Sequence, residues 1–477
     1  MTSRYIIKSF AMALLAIAVF SCTPELTKRE VNTGLPDEYQ TSADTTNSAD
    51  IKWREFFTDP YLAALIDTAL MNNQELNITL QEIEMSRNEV MAKKGEYLPS
   101  IGLGAGVGAD KVGRYTRNGA LEATTDIEPG KEFPEPLGDF TFGAYANWEV
   151  DIWKKLRNAK ASAFNRYMAS VEGKNFLVTN LIAEIANSYY ELLALDNQLE
   201  IVRQNIQIQQ DALDIVKYQK QSARVTELAV KRFQAQVLNT RSLQYEIKQA
   251  IIETENRINF LIGRYPQTVD RDHTQFSSLV PQSIKQGIPA QLLQNRPDVR
   301  QAELELIAAK LDVKSAKANF YPSLGITAGV GYQAFNPSHL IRTPESLLYS
   351  MAGEIMAPLV NRNAIKAIYL NANARQIQTV VNYEQTILNA YIEVANQVSN
   401  IDNLANAYDL KSQQVQTLTE SIDISNTLFK SARADYMEVL LTQREALESR
   451  FDLIETKMKQ MHSVVNIYRA LGGGWQE

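Results

Sequence analysis

The sequence predicts a mainly α-helical chain with a transmembrane β-barrel portion, built from two copies of one unit. Three observations predict it. Tyr97-Leu-Pro-Ser-Ile-Gly-Leu-Gly-Ala-Gly-Val-Gly108 recurs as Phe320-Tyr-Pro-Ser-Leu-Gly-Ile-Thr-Ala-Gly-Val-Gly331, identical at seven of twelve positions. Two stretches of more than 100 residues are nearly free of helix breakers: no proline lies between Pro136 and Pro266 or after Pro358, Gly173 is the only glycine between Gly143 and Gly263, and none lies between Gly353 and Gly472. Segments of about ten residues alternate apolar with small or polar side chains, which is the length and pattern of a tilted membrane-spanning strand.

At the amino terminus, Arg4 and Lys8 precede an apolar run from Phe10 to Phe20. This is a secretory signal (residues 1–21) whose apolar run is too short to span a bilayer comfortably, so the chain is exported. Val19-Phe20-Ser21-Cys22 resembles a bacterial lipobox, and the only cysteine of the chain stands at its end. The expectation is a diacylglycerol on the Cys22 thiol; an ordinary signal with an incidental cysteine is the alternative. Residues 22–52, rich in Thr, Ser, Asp and Asn, read as an extended lipidated tether rather than a domain.

Composition excludes several classes of function. The 48 Lys and Arg against 55 Asp and Glu give a net charge of −7, without the basic excess that holds nucleic acid. One cysteine excludes a disulfide framework, and His273, His339 and His462 are too scattered to read as metal ligands. With no nucleophile–base set and no phosphate loop, the chain reads as a non-enzyme without cofactor or metal.

The first repeat is assigned to residues 53–263. In its first strand, about 97–109, Pro99, Ile101, Leu103, Ala105 and Val107 alternate with Ser100 and four glycines. Its second, about 139–151, sets Phe140, Phe142, Ala144, Ala146, Trp148 and Val150 against Thr141, Gly143, Tyr145, Asn147 and Glu149. The second repeat, 296–472, supplies strands at about 321–334 and 347–358, the last less cleanly alternating. A soluble sandwich would show the same pattern, but the export signal and the strand count favour a membrane. Four strands cannot close a barrel and open edges are not tolerated in hydrocarbon, so chains must share one. Three chains give twelve strands, wide enough for a channel. The loops from Asp110 to Gly138 and from Asn336 to Glu345 would face outside.

Long helices are expected at about 155–221 and 362–430, with return helices at about 226–261 and 435–471. Along positions 178, 181, 185, 188, 192, 195, 199, 202, 206, 209, 213 and 216, ten of twelve residues are apolar, the exceptions being Ser188 and Gln209. Adding 209 to each number gives nine apolar residues of twelve. A sustained 3.5-residue period is the mark of coiled-coil packing. About 65 helical residues extend roughly 100 Å. The same offset of 209 matches Ser222-Ala223-Arg224 to Ser431-Ala432-Arg433 and Gly263 to Gly472.

Strand pairs joined to such helices in a twofold repeat resemble the TolC-like outer-membrane factors, in the branch of lipoprotein exit ducts of RND-type efflux pumps. The motifs that carry the resemblance are Trp53-Arg-Glu-Phe-Phe-Thr-Asp-Pro-Tyr-Leu62, Trp148-Glu-Val-Asp-Ile-Trp153, Asn295-Arg-Pro-Asp-Val-Arg-Gln-Ala-Glu303 leading into Phe320-Tyr-Pro-Ser323, and Ala470-Leu-Gly-Gly-Gly-Trp475. The resemblance implies a homotrimer with a twelve-stranded barrel in the outer membrane, a periplasmic tunnel of twelve helices, and a mixed equatorial belt, here residues 264–295 and the tail 473–477. Its implied partners are a periplasmic adaptor and an inner-membrane proton-driven transporter. A type I protein-secretion duct and a non-conducting structural lipoprotein are the alternatives.

By the same resemblance, the second-repeat turn forms the inward tip, with Asp435, Tyr436 and Glu438 as gate residues. Leu441 stands where the family often has another acid. The first-repeat turn, Ser222, Ala223, Arg224, Val225, Thr226 and Glu227, with Ser431, Ala432 and Arg433 of the second, would meet the adaptor. Asp435 and Thr226 could equally be helix caps. Arg296 and Asp298, around Pro297 at a helix start, read as architecture.

Overall fold

The computed structural model describes residues 23–39, 46–274, 276–281, 283–431 and 433–476. The signal segment, Cys22 and Ala432 lie outside the described residues.

After the four-residue helix α1 (Trp53–Phe56), α2 (Pro60–Asn72) and α3 (Gln74–Tyr97) lead into β1 (Ser100–Asp110). A short helix α4 (Arg117–Glu122) and a hairpin of β2 (Asp126–Glu128) and β3 (Lys131–Glu132) occupy the connection to β4 (Leu137–Val150). The long helix α5 (Lys155–Gln221) turns into α6 (Glu227–Leu261). The second half runs α7 (Leu292–Asn295), α8 (Pro297–Ala318), β5 (Ser323–Ala334), β6 (Leu347–Met356), α9 (Asn363–Lys430) and α10 (Tyr436–Ala470). β1 begins at Ser100 because α3 continues to Tyr97 and Pro99 has no N–H for the ladder. β6 stops at Met356, two residues before Pro358.

Two compact units divide the described residues, a strand unit of 84–168 and 304–381 with 23–30, and a helical unit drawn from 31–83, 169–303 and 382–476. In the strand unit a four-stranded antiparallel sheet has the order β1-β4-β5-β6. Glycine on one face answers a specific crowding. Gly102 and Gly329 stand opposite Tyr145 on its two sides. A β-carbon on Gly104 would lie 3.1 Å from the Tyr145 ring and one on Gly329 3.2 Å from it. Gly143 faces Gly331, where a β-carbon on Gly143 would come 2.7 Å from the Val330 carbonyl.

In the helical unit the 3.5-residue stripe of α5 turns inward. Leu181, Ile185, Ser188, Leu192, Leu199, Val202, Gln209, Leu213 and Val216 are buried, and Val178, Leu195 and Ile206 half-buried. On α9 only Ile387, Ala390, Val394 and Ser425 of the corresponding stripe are buried, the other eight being half-buried. Withdrawing such a stripe stabilises helices that propensity alone would not hold in water.

Both return helices end in the same device. Gly263 (φ 72°) and Gly472 (φ 92°) take the left-handed conformation after the last turn. Arg264 N–H then donates to Asn259 O at 2.9 Å, and Gly473 N–H to Tyr468 O at 3.0 Å, the six-to-one bond of a Schellman cap. A β-carbon on Gly263 would lie 2.5 Å from Asn72 O, and one on Gly472 2.5 Å from Asn295 O. Asn72 and Asn295 are 223 residues apart, the spacing that relates Tyr97 to Phe320. The next residues follow suit: Asn73 Nδ2 donates to Leu261 O at 2.8 Å, and Arg296 donates to Ala470 O at 2.8 Å. Arg296 is buried and also pairs with Asp298 (2.7 Å) and Glu393 (2.8 Å). It is an architectural cation whose charge is met on both sides.

The described part of the tether is extended but packed. In the strand unit Leu26 lies on the cluster of Phe320, Tyr369 and Ala316, and Thr27 O accepts from Asn373 at 3.2 Å. In the helical unit Asn32 N–H donates to Glu384 at 2.9 Å, and Tyr39 is buried in a stack on Tyr391 at 5.6 Å.

Replacing Gly263 or Gly472 by alanine imposes both a positive φ and a backbone clash. Each is expected to lower stability by about 1–3 kcal/mol, read as a drop in the melting temperature of the purified protein. Gly95→Ala, where a β-carbon meets nothing within 4 Å, should lower it far less.

Candidate functional site

The two tip turns share one apolar cluster. Leu213, Val216, Val230, Phe233, Val237 and Val439 form it, with Val225, Phe429 and Tyr436 packed against its edge. Val225 and Tyr436 are therefore half-buried anchors, while Ser222, Ala223, Arg224, Thr226 and Glu227 are exposed. Ala223 has φ 54°, and Arg224 N–H donates to Gln219 O at 2.9 Å, so α5 ends in a Schellman cap without glycine. Glu227 accepts a hydrogen bond from Lys220 Nζ, which holds its carboxyl below the ordinary range.

On the second turn Ser431 and Arg433 are exposed, Ser431 Oγ donates to Thr427 O at 3.0 Å, and Arg433 N–H donates to Leu428 O at 2.9 Å. Asp435 and Thr226 occupy the N-cap positions of α10 and α6, yet neither side chain makes a capping hydrogen bond. Asp435, Glu438 and Leu441 all point away from the protomer's own packing. Tyr436 does not, because its ring closes the tip cluster. Arg232 of α6 reaches Met437 Sδ at 2.8 Å, fastening one tip to the other.

A second constellation, whose individual roles the sequence did not disclose, lies where strands pass into helices. Asp151, directly after β4, accepts from the backbone N–H of Leu156 (3.1 Å) and Arg157 (2.9 Å) and from Arg157 Nε (3.1 Å). It caps α5 from outside the helix. Burial alone would raise its pKa, but the two N–H groups and the guanidinium outweigh burial and hold it below the usual carboxylate range. Trp153 stacks on Tyr321 at 4.8 Å and donates through Nε1 to Pro322 O at 2.7 Å, tying the two repeats together. Lys154 turns the chain with φ 59°. Lys155 pairs with Glu149 at 2.8 Å. A pocket of about 350 Å³ opens here between Glu149, Trp153, Tyr321 and Met356. The signal was present as the Trp148–Trp153 and Phe320–Ser323 motifs, but motifs do not say which side chains touch.

A sheet whose four strands all pass into helices at one end, with exposed polar residues at the helix tips and two edges left unpaired among the described residues, defines a membrane duct subunit. The family model "Outer membrane efflux protein" matches residues 65–264 and 288–473. The chain belongs to that outer membrane efflux protein family, a transport family rather than an enzyme family. Among known relatives, the pyoverdine export outer membrane protein OpmQ of Pseudomonas aeruginosa is 26% identical over 436 residues, covering 91% of this chain and 90% of that protein. The cation efflux system protein CusC of Escherichia coli strain K12 is 25% identical over 465 residues, covering 96% and 98%. Solved structures share the fold. A CusC crystal structure matches with a TM-score of 0.82 at 23% identity over 95% of this chain and all of that one. The open-state MtrE channel of Neisseria gonorrhoeae matches with a TM-score of 0.83 at 21% identity, over 95% and 99%. The fold is thus the TolC-like one, mostly helical, and the protein is an outer-membrane protein.

Asp151 carries a pH prediction. A depressed folded-state pKa contributes stability that is present above the unfolded value near 4 and is lost as pH falls through the folded value. Asp151→Asn is expected to cost about 1–2 kcal/mol at neutral pH. In melting curves taken against pH, the difference between variant and wild type should vanish as pH falls below the usual carboxylate range.

Proposed function

We propose that three copies of this chain form the exit duct of a tripartite RND-type efflux pump. They pass small molecules expelled by an inner-membrane proton-driven transporter and handed on through a periplasmic adaptor. The observation that carries the reading is the sheet. Ile101, Leu103 and Val107 of β1 and Tyr349, Met351 and Ile355 of β6 are at least two-thirds exposed on one face, with Val107 at 81%. Water does not tolerate so large an apolar face, and lipid does. Among the described residues β1 and β6 each have a partner strand on one side only. In hydrocarbon those edges must pair, and the β1 edge of one copy against the β6 edge of the next closes a twelve-stranded barrel.

The helices support the same stoichiometry. α6 leaves Leu238, Tyr245, Ile252 and Phe260 exposed at near-heptad spacing, an apolar seam suited to a neighbouring protomer. A lipid on Cys22 would anchor the packed tether, and no nucleic acid partner is expected. Around the threefold axis, Asp435 and Glu438 would bring like charges together, where repulsion between carboxylates makes closure sensitive to protonation and cations. Leu441 would add an apolar constriction. The exposed residues Ser222, Ala223, Arg224, Thr226, Glu227, Ser431 and Arg433 are the surface offered to the adaptor. Substrate choice belongs to the transporter, and the printed names of the relatives, pyoverdine export, cation efflux and toluene efflux, are accordingly diverse.

The purified lipoprotein should run as a heat-sensitive trimer and conduct in planar bilayers; a non-conducting protein would refute the duct. Glu438→Ala, alone or with Asp435→Ala, is expected to raise conductance, and an unchanged value would remove the gate assignment. Intact-mass measurement of Cys22→Ser protein from membranes should lack the lipid increment present in wild type.

A further inference from the structure

The packed interior of the helical unit is interrupted. Its tip cluster includes Leu213 of α5, Val237 of α6 and Val439 of α10. The larger central cluster takes over on the same helices from Ile206, Leu243 and Phe451 onward, so the interruption is one layer deep. In the first turn beyond the tip cluster each of the three helices buries a polar residue. These are Gln209, four before Leu213, Thr240, three after Val237, and Gln443, four after Val439; they are 1%, 1% and 2% exposed. Asn205 and Ser449, farther along, are buried as well.

These groups are unequally served. Asn205 Nδ2 donates to Ile201 O at 3.0 Å and Thr240 Oγ1 to Gln236 O at 3.1 Å, each within its own helix. Both ends of the Gln209 carboxamide, both ends of the Gln443 carboxamide and the Ser449 hydroxyl have no hydrogen-bond partner among the described residues. Leucine has nearly the volume of glutamine and would continue the apolar stripe on either side. A buried amide without a partner costs stability, so these glutamines weaken the seam where they lie. They also break its cooperativity. Interdigitated apolar side chains resist displacement because movement opens gaps, whereas amides gain partners when the helices shift.

We infer that this polar belt is a joint, at which the tip segments beyond Gln209, Thr240 and Gln443 move as a unit relative to the helices above. Val225, Phe429 and Tyr436 seal the tip cluster from below, so the moving part keeps its own core. Both candidate gate acids, Asp435 and Glu438, lie on the moving side. The use of the joint to open the tips rests on the duct reading; the joint itself does not.

Hydrogen exchange on the purified full-length protein tests it. In wild type the amides of the tip segments should exchange together, at a rate distinct from the central helices. Gln209→Leu with Gln443→Leu is expected to slow tip exchange about tenfold or more, to raise the melting temperature, and to make opening events rarer in planar bilayers. Unchanged or faster tip exchange overturns the joint. So does a lower melting temperature, which would mean that the carboxamides hold the tips rather than loosen them. If the wild-type trimer does not conduct at all, the duct reading falls, while the exchange measurement still decides the joint.

Discussion

A helix of 67 residues, α5, persists in water only because one stripe of it is withdrawn. That withdrawal is the constraint on which the rest of the helical unit depends. It fixes the register of α5 against α6, since Leu213 and Val216 can meet Val230, Phe233 and Val237 in only one alignment of the hairpin. It also dictates what the turns must be. A helix pair packed nearly to its end leaves no room for a loose connection, and Ala223 accepts a positive φ so that the chain turns directly after α5 stops at Gln221.

The same packing explains why duplication left structural equivalents with different chemistry. Asn73 and Arg296 reach the last-turn carbonyls of α6 and α10 from equivalent places. Asparagine suffices in the first repeat. In the second, Asp298 and Glu393 surround the site, and arginine answers both acids as well as the carbonyl. Satisfying a backbone acceptor is the conserved physical task, and the residue that performs it follows the local charge. Glycine at 263 and 472 did not diverge, because a neighbouring carbonyl at 2.5 Å from a β-carbon leaves no alternative side chain.

Much of this was legible in sequence order, and the reason is periodicity. Alternation over 139–151 corresponds to β4, and the scarcity of glycine and proline corresponds to α5 and α9, because each pattern reports a local geometry. The tip residues were legible only as positions. That Tyr436 closes a core while Asp435 and Glu438 face outward depends on how two hairpins meet, which no local pattern encodes. The tether was legible as polar and extended, yet Tyr39 is buried against Tyr391, some 350 residues distant in sequence.

By itself the sequence determined the element types and the internal repeat of its motifs, since each follows from spacing or composition. Tertiary structure alone decided which exceptions to the pattern matter. Gln209 was one off-pattern residue among twelve in a stripe, and only the approach of α6 and α10 places Thr240 and Gln443 at corresponding turns of the same core and leaves the amides without partners. The physical reason is that hydrogen-bond satisfaction and burial are properties of the groups that surround a side chain, and those groups come from parts of the chain more than 200 residues apart.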